Sequence, residues 1–187
     1  MVDYEKMVDY EKIVEIIREI APQLSLKNVI KDIEKAVESV GISVKYSDMT
    51  HLETSDVSGY VRVINGKPEI IVNFTDVETR RRFTIAHELG HIFLHWGWLP
   101  DKYLTERLVE VSYRNGKYTE EEEKREREAD KFAAEFLAPK KEVEKSLERY
   151  IEEGILDKEE QIQLLAEEYK VSNPMAYRLW YDNRFGD

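Results

Sequence analysis

Apolar positions recur at helical spacing through Met7, Tyr10, Ile13, Val14, Ile17 and Ile20, which predicts an amphipathic first helix. Met1 to Lys6 is repeated identically as Met7 to Lys12. A shift of six residues turns a helix face by roughly 240°, so only one copy can join a buried stripe and the first is expected to fray. A second helix is expected from Ser25 as N-cap, burying Val29, Ile30, Ile33, Val37 and Val40 and stopping at Gly41. Ile42 to Tyr46 reads as a strand. Val57 to Ile64 and Glu69 to Phe74 read as a hairpin turning at Asn65 and Gly66, with Pro68 suited to an edge. Thr75 and Glu78 form a capping box ahead of a helix of about five turns, whose apolar face includes Phe83, Ile85, Ala86 and Leu89.

The stretch from Gly97 to Thr119 mixes turns at Pro100 and at Asn115 and Gly116 with a strand-like run from Leu108 to Tyr113. Thr119 with Glu122 caps a helix reaching Ala138, which Pro139 ends, and the next helix closes at Gly154. Two short helices follow, Asp157 to Tyr169 and Pro174 to Arg184, spaced like a helix-turn-helix. The pattern predicts an α+β protein: an N-terminal helix over residues 1–24, a core with a small antiparallel sheet over 25–139, and a helical C-terminal extension over 140–187 packed on that core.

Composition narrows the function. At 187 residues, 42% hydrophobic and 36% charged, the chain suits one mid-sized folded unit rather than a disordered or membrane-embedded one. No apolar run approaches a membrane span, and the acidic N-terminus does not look like a signal peptide, so a cytoplasmic protein is expected. Abundant Glu and Lys with only three Gln resemble a thermophile's composition. The net charge of −11 opposes attraction to nucleic acid, and residues 161–187 carry −1 where a groove reader would be basic. That favours a helix pair that packs on the core or binds a protein. With no cysteine, any metal must be held by His, Asp or Glu, and there are only four histidines.

Residues 87–91 read His87, Glu88, Leu89, Gly90, His91, the HExxH pattern. Positions i and i+4 share a helix face about 6 Å apart along the axis, so two imidazoles can converge on one zinc ion while Glu88, beside them, serves as general base. The bland alternative is a pair of core histidines satisfied by buried carboxylates. A third ligand decides. His95 follows at i+8, about 12 Å beyond His87 along an unbroken helix, and is expected to be structural. The run Glu126 to Asp130 supplies carboxylates on another helix. Taking Ala129, Phe132, Ala133, Phe136 and Leu137 as the buried face, Glu126 lies roughly 50° from its centre and Glu128 about 110°, which selects Glu126. Asp130, one turn on, can accept a hydrogen bond from His87 or His91, and the small Ala133 lets the helices approach. An oxyanion donor could come from Tyr113, Tyr118, His51 or His95. An all-His/Glu site also admits manganese or iron.

The strings RRFTIAHELGHIFLH (81–95), EREADKFAAEFLAP (126–139) and LAEEYKVSNPMAYRL (165–179) closely resemble the ImmA/IrrE family of metallopeptidases, over roughly residues 25–184. That resemblance implies a zincin-like, gluzincin-type fold, with His87, His91 and Glu126 at a Zn2+ ion and Glu88 as catalytic base. It also implies a regulatory endopeptidase that cuts a protein, typically a transcriptional repressor. Asp130 stands where the family often has Asn, and Leu137, Ala138, Pro139 replace its usual Leu-Met-Pro. The hairpin next to the HExxH helix could lend an edge strand to an extended substrate. The competing expectation is a zinc-bound regulatory module that acts by binding with little proteolysis.

Overall fold

The computed structural model describes residues 8–49, 58–104, 109–111 and 119–185. Helix α1 (Tyr10–Ile20) starts at Asp9, whose carboxylate accepts from the Lys12 backbone N–H, and buries Val14 and Ile17 while Ile20 stays exposed. The first copy of the repeated hexapeptide lies outside the described residues. After a short 3₁₀ turn (Pro22–Leu24), the expected second helix is broken in two, α2 (Leu26–Lys31) and α3 (Ile33–Glu38). The break falls at Asp32, which is extended and whose side chain accepts from Lys35 N to start α3. Asp32 gives up helical geometry to act as a cap, a preference that apolar spacing does not reveal.

A four-stranded mixed sheet follows in the order β1-β3-β2-β4, from β1 (Ser43–Ser47), β2 (Gly59–Ile64), β3 (Lys67–Asn73) and β4 (Val109–Val111). The β2–β3 hairpin turns through Asn65 and Gly66, both at positive φ, as a two-residue turn requires. The sheet is not purely antiparallel. β1 lies against β3, and two chain reversals, one into β2 and one at the hairpin, leave those strands parallel. Neither hairpin strand is an edge, since β3 is covered by β1 and β2 by β4 at Tyr60, Val61 and Arg62. Pro68 is tolerated in an interior strand because the ladder with β1 begins one residue later, at Glu69.

Helix α4 (Glu78–Gly90) lies across one face of the sheet. Thr75 does not cap it: its hydroxyl and N–H both donate to Asn73 Oδ1, and Val77 occupies the cap position. From His91 to His95 the helix widens into a π-turn, with Trp96 N–H donating to the His91 carbonyl. Val44, Val61, Ile70 and Val72 of the sheet meet Ile85, Ala86 and Leu89 of α4 and Phe132 and Phe136 of α5 (Glu120–Leu137) in one buried apolar cluster. The Thr119 and Glu122 capping box opens α5. Helices α6 (Lys140–Glu152), α7 (Lys158–Tyr169) and α8 (Asn173–Phe185) contribute Leu147, Leu165, Tyr169 and Ala176 to the same cluster.

Helices α4 and α5 approach closely at Gly90 against Ala129, one turn before the buried Ala133. A Cβ at residue 90 would stand 2.9 Å from the Ala129 Cα. This contact brings the side chains of 87 and 91 level with those of 126 and 130.

Candidate functional site

His87 and His91 project from one face of α4 into the seam with α5. His91 is fully buried, His87 is 9% exposed and Glu88 is 1% exposed. Their Nε2 atoms lie 3.1 Å apart. Glu126 reaches in from α5, with Oε2 3.2 Å from His87 Nε2 and Oε1 3.3 Å from His91 Nε2. Three donors on a tetrahedral zinc at about 2.05 Å stand about 3.3 Å from one another. The two Nε2 atoms stand about one such edge apart, the two Glu126 oxygens each face one of them, and one donor atom from each residue lies within 4.8 Å of the others, so His87, His91 and Glu126 can hold a metal ion.

Electrostatics point the same way. Burial opposes a charge on His87, but hydrogen bonds with Asp130 and Glu126 outweigh it and raise its pKa from 6.5 to about 10. Burial also opposes the Glu126 anion, yet the two imidazoles hold its pKa far below the ordinary 4.5. The space between the three donors therefore stabilises positive charge.

Behind the donors, Asp130 Oδ1 lies 2.8 Å from Nδ1 of His87 although its side chain is 61% exposed. On the His91 side stands His95, with Nδ1 3.0 Å from His91 Nδ1 and Nε2 3.2 Å from Glu128 Oε2. His95 thus touches the ring nitrogen of His91 that faces away from Glu126, which is no place for an oxyanion donor. Tyr113, Tyr118 and His51 lie outside the described residues. Glu128 turns toward His95 and is 23% exposed, so it is less outward than the 110° angle suggests. The i+4 step from His91 to His95 was there to read in the sequence, but the contact of His95 with Glu128 was not, because it depends on how α5 packs against this turn.

A cavity of about 210 Å³ opens beside His87, Glu88 and Glu126, lined further by Phe83, Thr84, Ser58, Gly59 and Asp130. Gly59 opens β2 against α4. A Cβ there would fall 2.4 Å from Thr84 Cγ2, 2.8 Å from the Ile71 carbonyl and 3.8 Å from Glu88 Oε1. Arg80 Nε donates to Ser58 Oγ at 2.9 Å and fixes the strand end beside the cavity. Nothing in the sequence marks Ser58 or Gly59, because sheet pairing and helix packing bring them to Glu88.

Two imidazoles and a glutamate on packed helices, beside a small sheet, are consistent with a zincin-like core in a mixed α+β chain. The model of the Peptidase_M78 family, the IrrE N-terminal-like domain, matches residues 37–179, well over half of the chain, and the chain belongs to that family. Membership points to a metal-dependent peptidase acting on protein. The comparison with curated proteins finds no match. Among the described residues no helix is long and apolar enough to cross a membrane.

Proposed function

We propose that the chain is an intracellular zinc endopeptidase of the gluzincin type, hydrolysing a peptide bond in a regulatory protein of the repressor kind. The observation that carries this is the convergence of His87, His91 and Glu126, one donor atom from each within 4.8 Å of the others, beside a buried Glu88 and an open cavity. A zinc ion in that donor set supplies Lewis acidity that acidifies a water and polarises the scissile carbonyl.

The chain's residues do the rest. Asp130, accepting the Nδ1 proton of His87, turns the Nε2 lone pair of that ring toward the cavity. Glu88 follows His87 on α4 and borders the cavity, where it takes a proton from the attacking water and returns it to the leaving amide nitrogen. Gly59 lets β2 pack directly on Thr84 of α4 next to that carboxylate, since a Cβ there would fall 2.4 Å from Thr84 Cγ2. Ser58 and Gly59 line the cavity beside Glu88, and this end of β2 is where an extended substrate would lie.

Glu88→Gln tests the proposal against a module that acts only by binding. Zinc content should equal that of the wild type while cleavage of co-expressed candidate repressors drops by at least about 100-fold. A Glu88→Gln protein that cuts or regulates as the wild type does would refute catalysis at this residue.

A further inference from the structure

Both imidazoles that face Glu126 have their second ring nitrogen engaged, but in different ways. His87 meets the carboxylate of Asp130 directly at 2.8 Å. His91, fully buried, meets another imidazole, that of His95, and only beyond it the carboxylate of Glu128. The His95 side chain is 6% exposed, and its ring centroid lies 4.9 Å from that of His91 at an interplanar angle of 61°. The edge-on approach aligns Nδ1 with Nδ1 at 3.0 Å.

The direction of each hydrogen bond follows from chemistry. A neutral imidazole binding a cation through Nε2 has its lone pair there and its proton on Nδ1. His91 Nδ1–H must therefore donate, and His95 Nδ1 accept. A neutral His95 then carries its proton on Nε2, the atom 3.2 Å from Glu128 Oε2, and donates to an oxygen that can only accept. Each tautomer fits the next. The contact falls within the π-turn from His91 to His95, and a π-turn within an α-helix is often found at a functional position.

We propose that His95 is a positioning residue: with Glu128 it holds His91 in the Nδ1–H tautomer and orients its Nε2 toward the metal. The chain Glu128, His95, His91 matches on one ligand what Asp130 does alone on the other. Its imidazole links are buried and Glu128 is 23% exposed, whereas the Asp130 side chain is 61% exposed. The assignment rests on the metal site proposed above.

Zinc affinity, measured by chelator competition on the full chain, tests it through variants that separate packing from hydrogen bonding. His95→Leu keeps much of the volume and removes the acceptor; zinc binding should weaken about 10- to 100-fold while the melting temperature of the metal-free protein changes little. His95→Asn restores an acceptor near the position of Nδ1 and should recover a clear part of that loss. In the zinc-loaded wild type, ¹⁵N spectra of the imidazoles should show the proton on Nδ1 of His91 and on Nε2 of His95. His95→Leu within about threefold of wild-type affinity, His95→Asn no better than His95→Leu, or a proton on Nδ1 of His95 would each overturn the relay. The spectra retain that power even if His95→Leu fails to fold. A wild type that binds no zinc would instead overturn the metal site itself, which distinguishes the two failures.

Discussion

At the scale of single residues, His87 decides how the site responds to pH. Its pKa is raised from 6.5 to about 10 against the cost of burial, mainly by Asp130 and Glu126. In metal-free protein this group contributes stability that is complete below about 6.5 and is lost as pH rises through about 10. A divalent ion competes for the same space, so near pH 7 its binding should displace about one proton and its affinity should rise with pH. Calorimetric titration with zinc in two buffers of different ionisation enthalpy measures that proton. Heats independent of buffer would contradict the role given to His87. Residue type and spacing already single out His87, His91 and Glu126, because a 100° step places side chains on faces well enough to pick Glu126 from its neighbours. They offer the i+4 step from His91 to His95, but not the contact of His95 with Glu128, which depends on how α5 packs.

Between elements, the site depends on how closely α4 and α5 pack, and that closeness rests on Gly90. Alanine there gains about 1 kcal/mol of helix propensity over glycine. Against this, its Cβ would meet backbone at 2.9 Å, an overlap that only a shift of α5 can relieve, at a cost of about 1–3 kcal/mol. Gly90→Ala should therefore be neutral to destabilising in urea unfolding and should weaken zinc binding, because moving α5 draws Glu126 away from the imidazoles. Wild-type zinc affinity in Gly90→Ala would show that the helix spacing does not set the site. Helix starts with a capping side chain, such as Thr119 with Glu122, can be read from the chain. The Thr75 pattern misleads because Asn73 competes for the same hydroxyl, and Asp32 misleads because one side chain outweighs a continuous apolar stripe.

For the molecule as a whole, one buried and one half-buried arginine tie distant segments to the two helices that bear the site. Arg82 of α4 is 4% exposed and donates to the Val29 carbonyl in α2 at 3.2 Å and to the Lys170 carbonyl, just after α7, at 3.1 Å. Arg18 of α1 bonds the Phe136 carbonyl in α5 at 2.8 Å and the Leu24 carbonyl at 3.1 Å. Arg82→Met should lower unfolding free energy by about 2–4 kcal/mol by stranding buried carbonyls, a change visible in the urea midpoint. A shift under about 0.5 kcal/mol would mean that water replaces the guanidinium. Such long-range ties are invisible in a single sequence, where Arg82 looks like one more charge in an Arg-rich helical turn. The sheet order is equally hidden: a strand pattern carries no record of its partner, so β1 beside β3 and β4 beside β2 emerge only from the fold.

The most direct measurement is anomalous diffraction at the zinc edge from crystals grown with stoichiometric zinc. One peak about 2 Å from His87 Nε2, His91 Nε2 and a Glu126 oxygen is expected, and it should vanish in Glu126→Ala crystals. A peak coordinated by other residues, or none at this site in the wild type, would contradict the account.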